Sequence, residues 1–171
     1  MSASTVDSST ELLDGVLACY KPHCRYLTTL EVEGKRAAGT FAIPESCYID
    51  DTGHLNAVEV NICYNQLLYS MIATAVRDGD GPVFDTWTME EFWRRRLGDI
   101  LIAKISTEFR KPIDARAFRG ELTFDRVVSR RLRPGAAPFV AIDTTFRFSD
   151  DRGGAAAGSA RIAIVDGEQD D

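Results

Sequence analysis

The sequence predicts an α+β fold in which an antiparallel sheet of about six strands wraps around one long central helix. Two observations point to this class: apolar residues recur with helical spacing over residues 57–77, and β-prone segments lie on both sides of them. A sheet with one apolar face and a mostly apolar helix each need a covering layer. Wrapping the sheet around the helix buries both surfaces.

The first part of the chain predicts a short helix and a β-hairpin. We expect residues 1–9 to form a disordered lead and residues 10–171 to form a single domain. Apolar residues with helical spacing predict a helix over residues 10–19. β-prone residues at alternate positions over residues 25–43 predict two strands joined by a turn at Gly34. Pro44 ends the second strand, because proline lacks the N–H group that a strand ladder uses.

The long helix starts with a cluster of polar residues. Asn56 and Glu59 have the spacing of a capping box, with Asn in place of the usual Ser or Thr. Four polar residues interrupt the apolar pattern that follows: Glu59, Asn61, Asn65 and Gln66. Burying such a group costs about 1–3 kcal/mol unless it finds a partner. The start of this helix is therefore a candidate site.

The second half of the chain predicts a short helix and four strands. Turn-forming residues at 78–82 break the long helix, and Thr88 with Glu91 forms a second capping box. The predicted strands cover residues 100–109, 118–133, 139–148 and 158–165. This order of elements matches the hotdog arrangement. The alternative is a cone-shaped α+β fold of the nuclear-transport-factor kind, but that fold usually places its helices before its strands.

Composition excludes several classes of function. The net charge of −6 argues against nucleic acid as a partner, because phosphate binding requires a basic surface. No apolar run approaches the roughly 20 residues that span a bilayer, and the N-terminus lacks the basic and apolar regions of a signal peptide. We therefore expect a cytoplasmic protein that binds neither nucleic acid nor membrane.

The four cysteines predict no metal site. Their spacing matches no metal signature, and the chain has only two histidines. Cys19, His23 and Cys24 can alternatively be read as part of a metal cluster. The favoured interpretation is reduced thiols that pack as small apolar groups, with no metal and no other cofactor.

Several longer motifs resemble the FcoT-like family of hotdog thioesterases. They are CRYL at residues 24–27, SCYI at 46–49, TGHLNAVE at 52–59, CYNQL at 63–67 and FRKP at 109–112. The resemblance covers most of the chain. More distantly, the Gly53-His54-x-Asn56 loop is similar to the GH-x-N loop of 4-hydroxybenzoyl-CoA-type hotdog thioesterases.

The resemblance implies an enzyme that acts on acyl thioesters of acyl carrier protein (ACP) or coenzyme A. It also implies a homodimer or higher homo-oligomer with sheets joined edge to edge and sites at the interface. Close relatives add glycine to the β-carbon of a (2E)-enoyl-ACP thioester, an aza-Michael addition, in isonitrile lipopeptide biosynthesis. They then release the N-carboxymethyl-3-amino fatty acid by hydrolysis. Two alternatives stay open: a simple long-chain acyl-CoA/ACP thioesterase, and a non-catalytic acyl-binding module.

The resemblance also implies site residues. The family uses two tyrosines and two asparagines, which match Tyr20, Tyr48, Asn56 and Asn65. Tyr48 and Asn65 would hydrogen-bond the substrate carbonyl or the glycine carboxylate. In the distant thioesterase group an Asp before the loop acts as nucleophile or base, and Asp50 holds that place as a minor candidate.

The chemistry requires an oxyanion donor and a base. Both steps push negative charge onto the thioester oxygen, and the amides after Asn56 can stabilise it with the helix dipole. Asn56 alternatively only caps the helix. His54 is the favoured base because its pKa range suits proton transfer, although it can also be a structural loop residue. Glu59 either closes the capping box or acts as a base.

Asn65 and three groups of basic residues lie outside the loop and the first helical turn. Asn65 lies two and a half turns from Asn56, so a partner subunit or an acyl channel must connect the two residues. Lys104, Arg110 and Lys111 are expected to hold the glycine carboxylate or the pantetheine phosphate. The arginines at 94–96 and at 130, 131 and 133 either steer an acidic carrier protein or form a solvated surface.

Overall fold

The computed structural model describes residues 3–81 and 83–165, and side chains from Ser9 onward. This part of the chain contains three α-helices and six β-strands. The helices are α1 (Ala3–Leu17), α2 (Ala57–Asp78) and α3 (Met89–Arg95). The strands are β1 (Leu27–Glu33), β2 (Arg36–Phe41), β3 (Ile100–Lys111), β4 (Phe118–Arg130), β5 (Phe139–Ser149) and β6 (Ala155–Ile164). Pro22–Cys24 and Phe84–Thr86 form short 3-10 turns.

The strands form one antiparallel sheet in the order β1-β2-β4-β5-β6-β3. Helix α2 packs against the sheet through a row of residues that are almost completely buried: Val60, Tyr64, Leu67, Leu68 and Met71. Below it, the rings of Phe41 and Phe118 stack with centroids 5.2 Å apart. This arrangement confirms the predicted hotdog class, and it leaves β1 and β3 as the two edges of the sheet.

Gln66 is a completely buried polar residue of α2, and all of its side-chain hydrogen bonds go to residues 24–27 at the start of β1. Its Oε1 accepts from the Tyr26 N–H at 3.0 Å and from the Leu27 N–H at 2.9 Å. Its Nε2 donates to the Cys24 carbonyl at 2.7 Å. The burial of this amide is therefore balanced by three partners, as buried polar groups require.

Several element boundaries differ from the prediction. The backbone is helical from Ala3, where the sequence predicted a disordered lead over residues 1–9 and a helix start at Thr10. Strand β6 begins at Ala155 rather than Gly158, because Ala155 pairs with both Lys111 and Ser149. Alanines give no β pattern, so only this pairing defines the strand start. Residues 1, 2, 82 and 166–171 lie outside the described part, including the ends of the predicted lead and domain.

No helix of the described residues is both long enough and apolar enough to cross a membrane.

Candidate functional site

The N-terminus of α2 carries the predicted capping box. The Asn56 Oδ1 accepts from the Val58 N–H at 3.0 Å and from the Glu59 N–H at 3.1 Å. The Glu59 Oε2 accepts in return from the Asn56 N–H at 3.1 Å. The Tyr48 hydroxyl donates to the same Asn56 Oδ1 at 2.8 Å. The structure therefore brings together three of the predicted site residues.

The loop before the helix is held from two sides. The Arg116 guanidinium pairs with Asp51 at 2.8 Å and donates to the Pro44 carbonyl at 3.3 Å. The Leu55 N–H donates to the Ile113 carbonyl at 2.9 Å. Gly53 has a φ of 75°, a left-handed conformation that glycine adopts without strain. These contacts fix the entry of the chain into α2.

His54 is exposed at this loop, and its ring is oriented by the backbone. Its Nδ1 lies 3.0 Å from the Thr52 carbonyl oxygen. Because a carbonyl oxygen only accepts, this contact requires a proton on Nδ1, and in the neutral ring the lone pair is then on Nε2. That is the tautomer a general base needs.

An open groove lies beside the helix start. One wall is formed by the stretch from His54 to Ala57, and the other by the stretch from Phe109 to Pro112. Arg110 and Lys111 are thus placed beside His54 and Asn56. Phe109 adds an apolar, 44% exposed surface to the opposite wall. The groove combines an apolar wall, two cations and a helix N-terminus.

The amides of the first helical turn are mostly occupied. Sequence analysis assigned the oxyanion to the amides after Asn56, but Asn56 itself accepts from the Val58 and Glu59 N–H groups. Within the described residues, the Ala57 N–H has no protein acceptor. Since Ala57 lines the groove, its amide is the donor of the first turn that can meet a substrate oxygen.

A second open groove adjoins the first and shares His54, Lys111 and Pro112 with it. Its other walls carry Arg116 and Arg152 together with two aspartates. The Lys111 Nζ donates to the Arg152 carbonyl at 3.0 Å. Because the ion pairs of the two arginines are exposed, they are weak and can exchange for another anion.

Asn65 lies apart from the capping box, as the sequence indicated. It is about 13 Å from Asn56 along the helix axis. It belongs to an incompletely covered stripe of α2 with helical spacing: Val58, Asn61, Ile62 and Asn65. Asn65 therefore faces outward from this protomer and not into its groove.

The remaining predicted residues are also separated from the groove. Tyr20 lies beside the middle of α2, where burial, followed by the neighbouring Tyr69, raises its pKa. Lys104 is exposed on β3, about 23 Å from Lys111 at the usual rise of a strand. Asp50 is exposed in the loop.

Arg95, the last residue of α3, and Arg96, which caps it, have structural partners. The Arg95 guanidinium lies 4.0 Å over the Trp87 ring and pairs with Asp99 at 2.8 Å. The Arg96 guanidinium lies over the Trp93 ring and donates to the Gly15 carbonyl. These two contacts favour a packing role over the steering of a carrier protein.

Sequence analysis counted the Ala57 amide among those after Asn56, but it did not assign Phe109 or the neighbouring Tyr26 and Ser46 to the site. Tyr26 and Ser46 stand inside the CRYL and SCYI motifs, so a signal was present for both. The Tyr26 hydroxyl lies against the Cys47 thiol and near Glu59. In the part of the chain that the structure describes, no group of three His, Cys, Asp or Glu residues is placed to hold a metal ion.

Comparisons with known proteins identify the family and agree with the fold. The model of the FcoT-like thioesterase domain matches residues 15–164. A protein of Streptomyces coeruleorubidus named (2E)-enoyl-[ACP] glycyltransferase is 51% identical over 158 residues, which are 90% of this chain and 95% of that protein. A Mycobacterium bovis protein of the same name is 36% identical, with 96% of this chain and 91% of that protein covered.

Solved structures show the same architecture at low sequence identity. A candidate thioesterase from Syntrophus aciditrophicus has a TM-score of 0.62 at 10% identity, covering 95% of this chain and 99% of that chain. A candidate thioesterase from Shewanella oneidensis has a TM-score of 0.59 at 10% identity, covering 94% and 99%. At this identity the likeness concerns the fold alone.

Proposed function

The chain belongs to the FcoT-like thioesterase domain family, and on this premise we propose that it is a (2E)-enoyl-ACP glycyltransferase with thioesterase activity. The enzyme adds glycine to the β-carbon of a (2E)-enoyl thioester and then releases the N-carboxymethyl-3-amino fatty acid by hydrolysis. The observation that carries this proposal is the 51% identity, over nearly the whole chain, to a protein named for that reaction. The role in isonitrile lipopeptide biosynthesis and the cytoplasmic location stay predictions.

The groove beside α2 offers the groups that the first step requires. The glycine nitrogen forms a bond to the β-carbon, and the electrons of the double bond move toward the thioester oxygen. The Ala57 N–H, at the positive end of the helix dipole, can donate to that oxygen. His54 Nε2 accepts a proton from the glycine ammonium, and the α-carbon then takes up a proton.

The second step uses the same groups. Water adds to the thioester carbonyl, the oxyanion again faces the Ala57 N–H, and the carrier thiol leaves. His54 Nε2 can orient the attacking water. Asn56 holds the loop and helix together through three hydrogen bonds, while Tyr48 closes the cluster from the loop side. Both residues therefore fix the geometry of the groove, and the Asn56 Nδ2, which has no partner among the described residues, is a further donor for the substrate.

We place the pantetheine arm of the carrier protein in the two adjoining grooves. The acyl thioester occupies the groove at His54, and the pantetheine arm runs over Lys111 toward Arg116 and Arg152. Lys111 and Arg110 are the predicted partners of an anion on this path. Lys104 lies too far along β3 to join them within one protomer.

We propose that a second copy of the chain covers the incompletely covered stripe of α2 that contains Asn65. The edge strand β3 pairs only with β6, and Leu101 and Phe109 on it are each 44% exposed. A long exposed edge strand is a template for pairing with another chain. If two copies join along β3, the stripe with Asn65 faces the partner, which gives Asn65 a route to a site. Homodimer or higher homo-oligomer thus remains the expected state.

The experiment that tests the function is an assay with purified protein and a (2E)-enoyl-ACP. Mass spectrometry follows the carrier-bound species and the released acid with and without glycine. The proposal expects a glycine adduct and release of the N-carboxymethyl-3-amino acid only when glycine is present. Release of the unmodified acid at the same rate without glycine contradicts it.

A simple acyl thioesterase is the second candidate, favoured by the family's description as a thioesterase domain. Hydrolysis needs only the Ala57 amide, His54 and water, all of which the groove supplies. A saturated acyl-ACP separates the two candidates, since it lacks the double bond that glycine attacks. Rapid release from the saturated thioester supports the simple thioesterase.

A further inference from the structure

Asp150 is a buried carboxylate that none of the reaction steps uses. It directly follows β5, and it and Glu59 are the two buried acidic residues in the described part of the chain. Three backbone N–H groups donate to its side chain: those of Arg152 and Gly154 to Oδ1 at 2.9 and 2.7 Å, and that of Asp114 to Oδ2 at 2.7 Å. Because hydrogen bonds to an ionised acceptor are strong, these three hold the carboxylate in one orientation.

The two oxygens of Asp150 serve different parts of the chain. Oδ1 closes the turn between β5 and β6, as the side chains of aspartate and asparagine commonly do in turns. Oδ2 points away from this turn and accepts from the segment between β3 and β4, 36 residues earlier in the sequence. The turn therefore accounts for the first oxygen and not for the second.

The segment that Oδ2 holds is residues 113–115, hereafter the bridge. Its two outer carbonyls accept from the two ends of the loop between β2 and α2. The Leu55 N–H donates to the Ile113 carbonyl at 2.9 Å, and the Ile43 N–H donates to the Ala115 carbonyl at 2.8 Å. The N–H that donates to Asp150 belongs to the residue between these two carbonyls. The bridge thus supports the site loop, and Asp150 supports the bridge.

The bridge fixes the position of His54. His54 directly precedes Leu55, whose side chain is 1% exposed, so the residue next to the imidazole is anchored by burial and by its bond to the bridge. Pro112, which directly precedes the bridge, lines the groove wall opposite His54. A displacement of the bridge therefore changes both walls of the groove.

The turn that follows Asp150 packs directly on the bridge. A Cβ at Gly154 would lie 2.5 Å from the Pro112 carbonyl oxygen and 2.7 Å from the Ile113 Cα, so no side chain fits between them. The β5–β6 hairpin and the bridge are therefore in direct contact, and the Asp150 Oδ2 is the side-chain acceptor at this contact.

We propose that Asp150 is a positioning residue of the reaction groove, which holds His54 in place relative to the Ala57 N–H. It acts through the bridge and not by contact with the substrate. This proposal rests on the proposed function, because it concerns the same groove and the same base. A misplacement of about 1 Å can cost about 100-fold in rate, so a single hydrogen bond far from the reacting atoms is sufficient to matter.

Asp150→Asn separates the two oxygens. The asparagine Oδ1 can still accept from the Arg152 and Gly154 N–H groups, whereas its Nδ2 meets the Asp114 N–H donor to donor. Thr88→Ala is the control for lost stability, because Thr88 caps α3 and lies outside both grooves. If Asp150→Asn does not fold, Asp150→Ser decides, since serine keeps a smaller acceptor for the turn and cannot replace the second oxygen.

Two properties of each variant are measured: kcat with a (2E)-enoyl-ACP and glycine, and the proton NMR resonances of the imidazole Cε1–H groups. The chain has two histidines, His23 and His54, so His23→Gln assigns both resonances. We expect Asp150→Asn to lower kcat about tenfold with KM for the thioester unchanged. It should also shift the His54 resonance and leave the His23 resonance in place.

The control and the histidine resonances distinguish positioning from a general loss of stability. Thr88→Ala should keep the wild-type kcat and both resonances. Three results overturn the proposal: a wild-type kcat in Asp150→Asn, an equal loss of kcat in Thr88→Ala, or an unmoved His54 resonance in Asp150→Asn.

Failure of the proposed function gives a different result. A wild-type protein that never forms a glycine adduct refutes the transferase reaction itself. The role of Asp150 is then tested by the rate of thioester hydrolysis and by the His54 resonance, neither of which requires glycine. Slower hydrolysis together with a shifted resonance supports the proposal, and no change in either one overturns it.

Discussion

Asn56 is predicted to serve both the helix and the reaction, and substitutions can separate the two roles. Its Oδ1 accepts from two helix amides and from the Tyr48 hydroxyl, whereas its Nδ2 has no partner. Asn56→Asp keeps the capping oxygen and replaces only the Nδ2 donor. Asn56→Ala removes both. Asn56→Asp therefore reports the effect of the Nδ2 donor on the reaction alone, and Asn56→Ala adds the loss of helix stability.

The expected magnitudes follow from these contacts. Loss of an N-cap costs about 1 kcal/mol, so Asn56→Ala should lower the thermal midpoint by about 2–4 °C for a domain of this size. Asn56→Asp should stay within about 1 kcal/mol of wild type, because its gain from the helix dipole offsets repulsion by Glu59. Its kcat/KM for glycine should fall about 100-fold, or about 2.7 kcal/mol of transition-state stabilisation.

The assay pairs thermal unfolding by circular dichroism with product formation by mass spectrometry on the same preparations. Asn56→Ser provides the control, because serine caps a helix about as well as asparagine and has no amide group. Wild-type kcat/KM in Asn56→Asp would refute the reasoning and leave Asn56 as a helix cap alone. A large drop in midpoint for Asn56→Asp would show that its activity loss cannot be separated from stability.

Three further predictions concern other parts of the molecule. His54→Gln should lower kcat about 100-fold with an unchanged thermal midpoint, since His54 is exposed, and a variant with full activity removes it as the base. Asp150 accepts from three backbone amides, of which the Asp114 N–H contributes most to lowering its pKa. Because the folded pKa lies below the unfolded value of about 3.9, this stabilisation is present above that pH and is lost as the pH falls through the folded pKa. In urea unfolding, Asp150→Asn should therefore have a lower free energy of unfolding than wild type at pH 7, and this difference should become smaller near pH 3. A difference that does not change with pH contradicts the assignment. Leu101→Arg should shift the protein toward monomer in light scattering if copies join along β3, and an unaltered mass argues for another interface.

The sequence predicted those parts of the fold that local signals determine. Both capping boxes form as predicted, because Asn56 with Glu59 and Thr88 with Glu91 act within one turn. The pairing of β3 with β6 has no local signal, since it joins residues far apart in sequence. The start of β6 was missed because its alanines carry no β pattern.

Sequence reasoning about the site grouped the loop residues that the structure places together, and it left open which amide is free. His54, Asn56 and Tyr48 lie together because the motif that carries them is continuous. The donor amide could not be chosen from sequence, because only the structure shows that the Asn56 side chain occupies the Val58 and Glu59 N–H groups. Tyr26 was not assigned because its alternation in the predicted strand is that of an ordinary core aromatic.

The three hydrogen bonds of Gln66 have a consequence for hydrogen exchange. The Tyr26 and Leu27 amide protons stand at the start of an edge strand, where fraying usually makes exchange fast. Their acceptor, however, is a side chain of the central helix, so both protons can exchange only when the strand leaves the helix. We expect both to exchange as slowly as core amides. Tyr26 is thereby attached to a backbone that does not open locally.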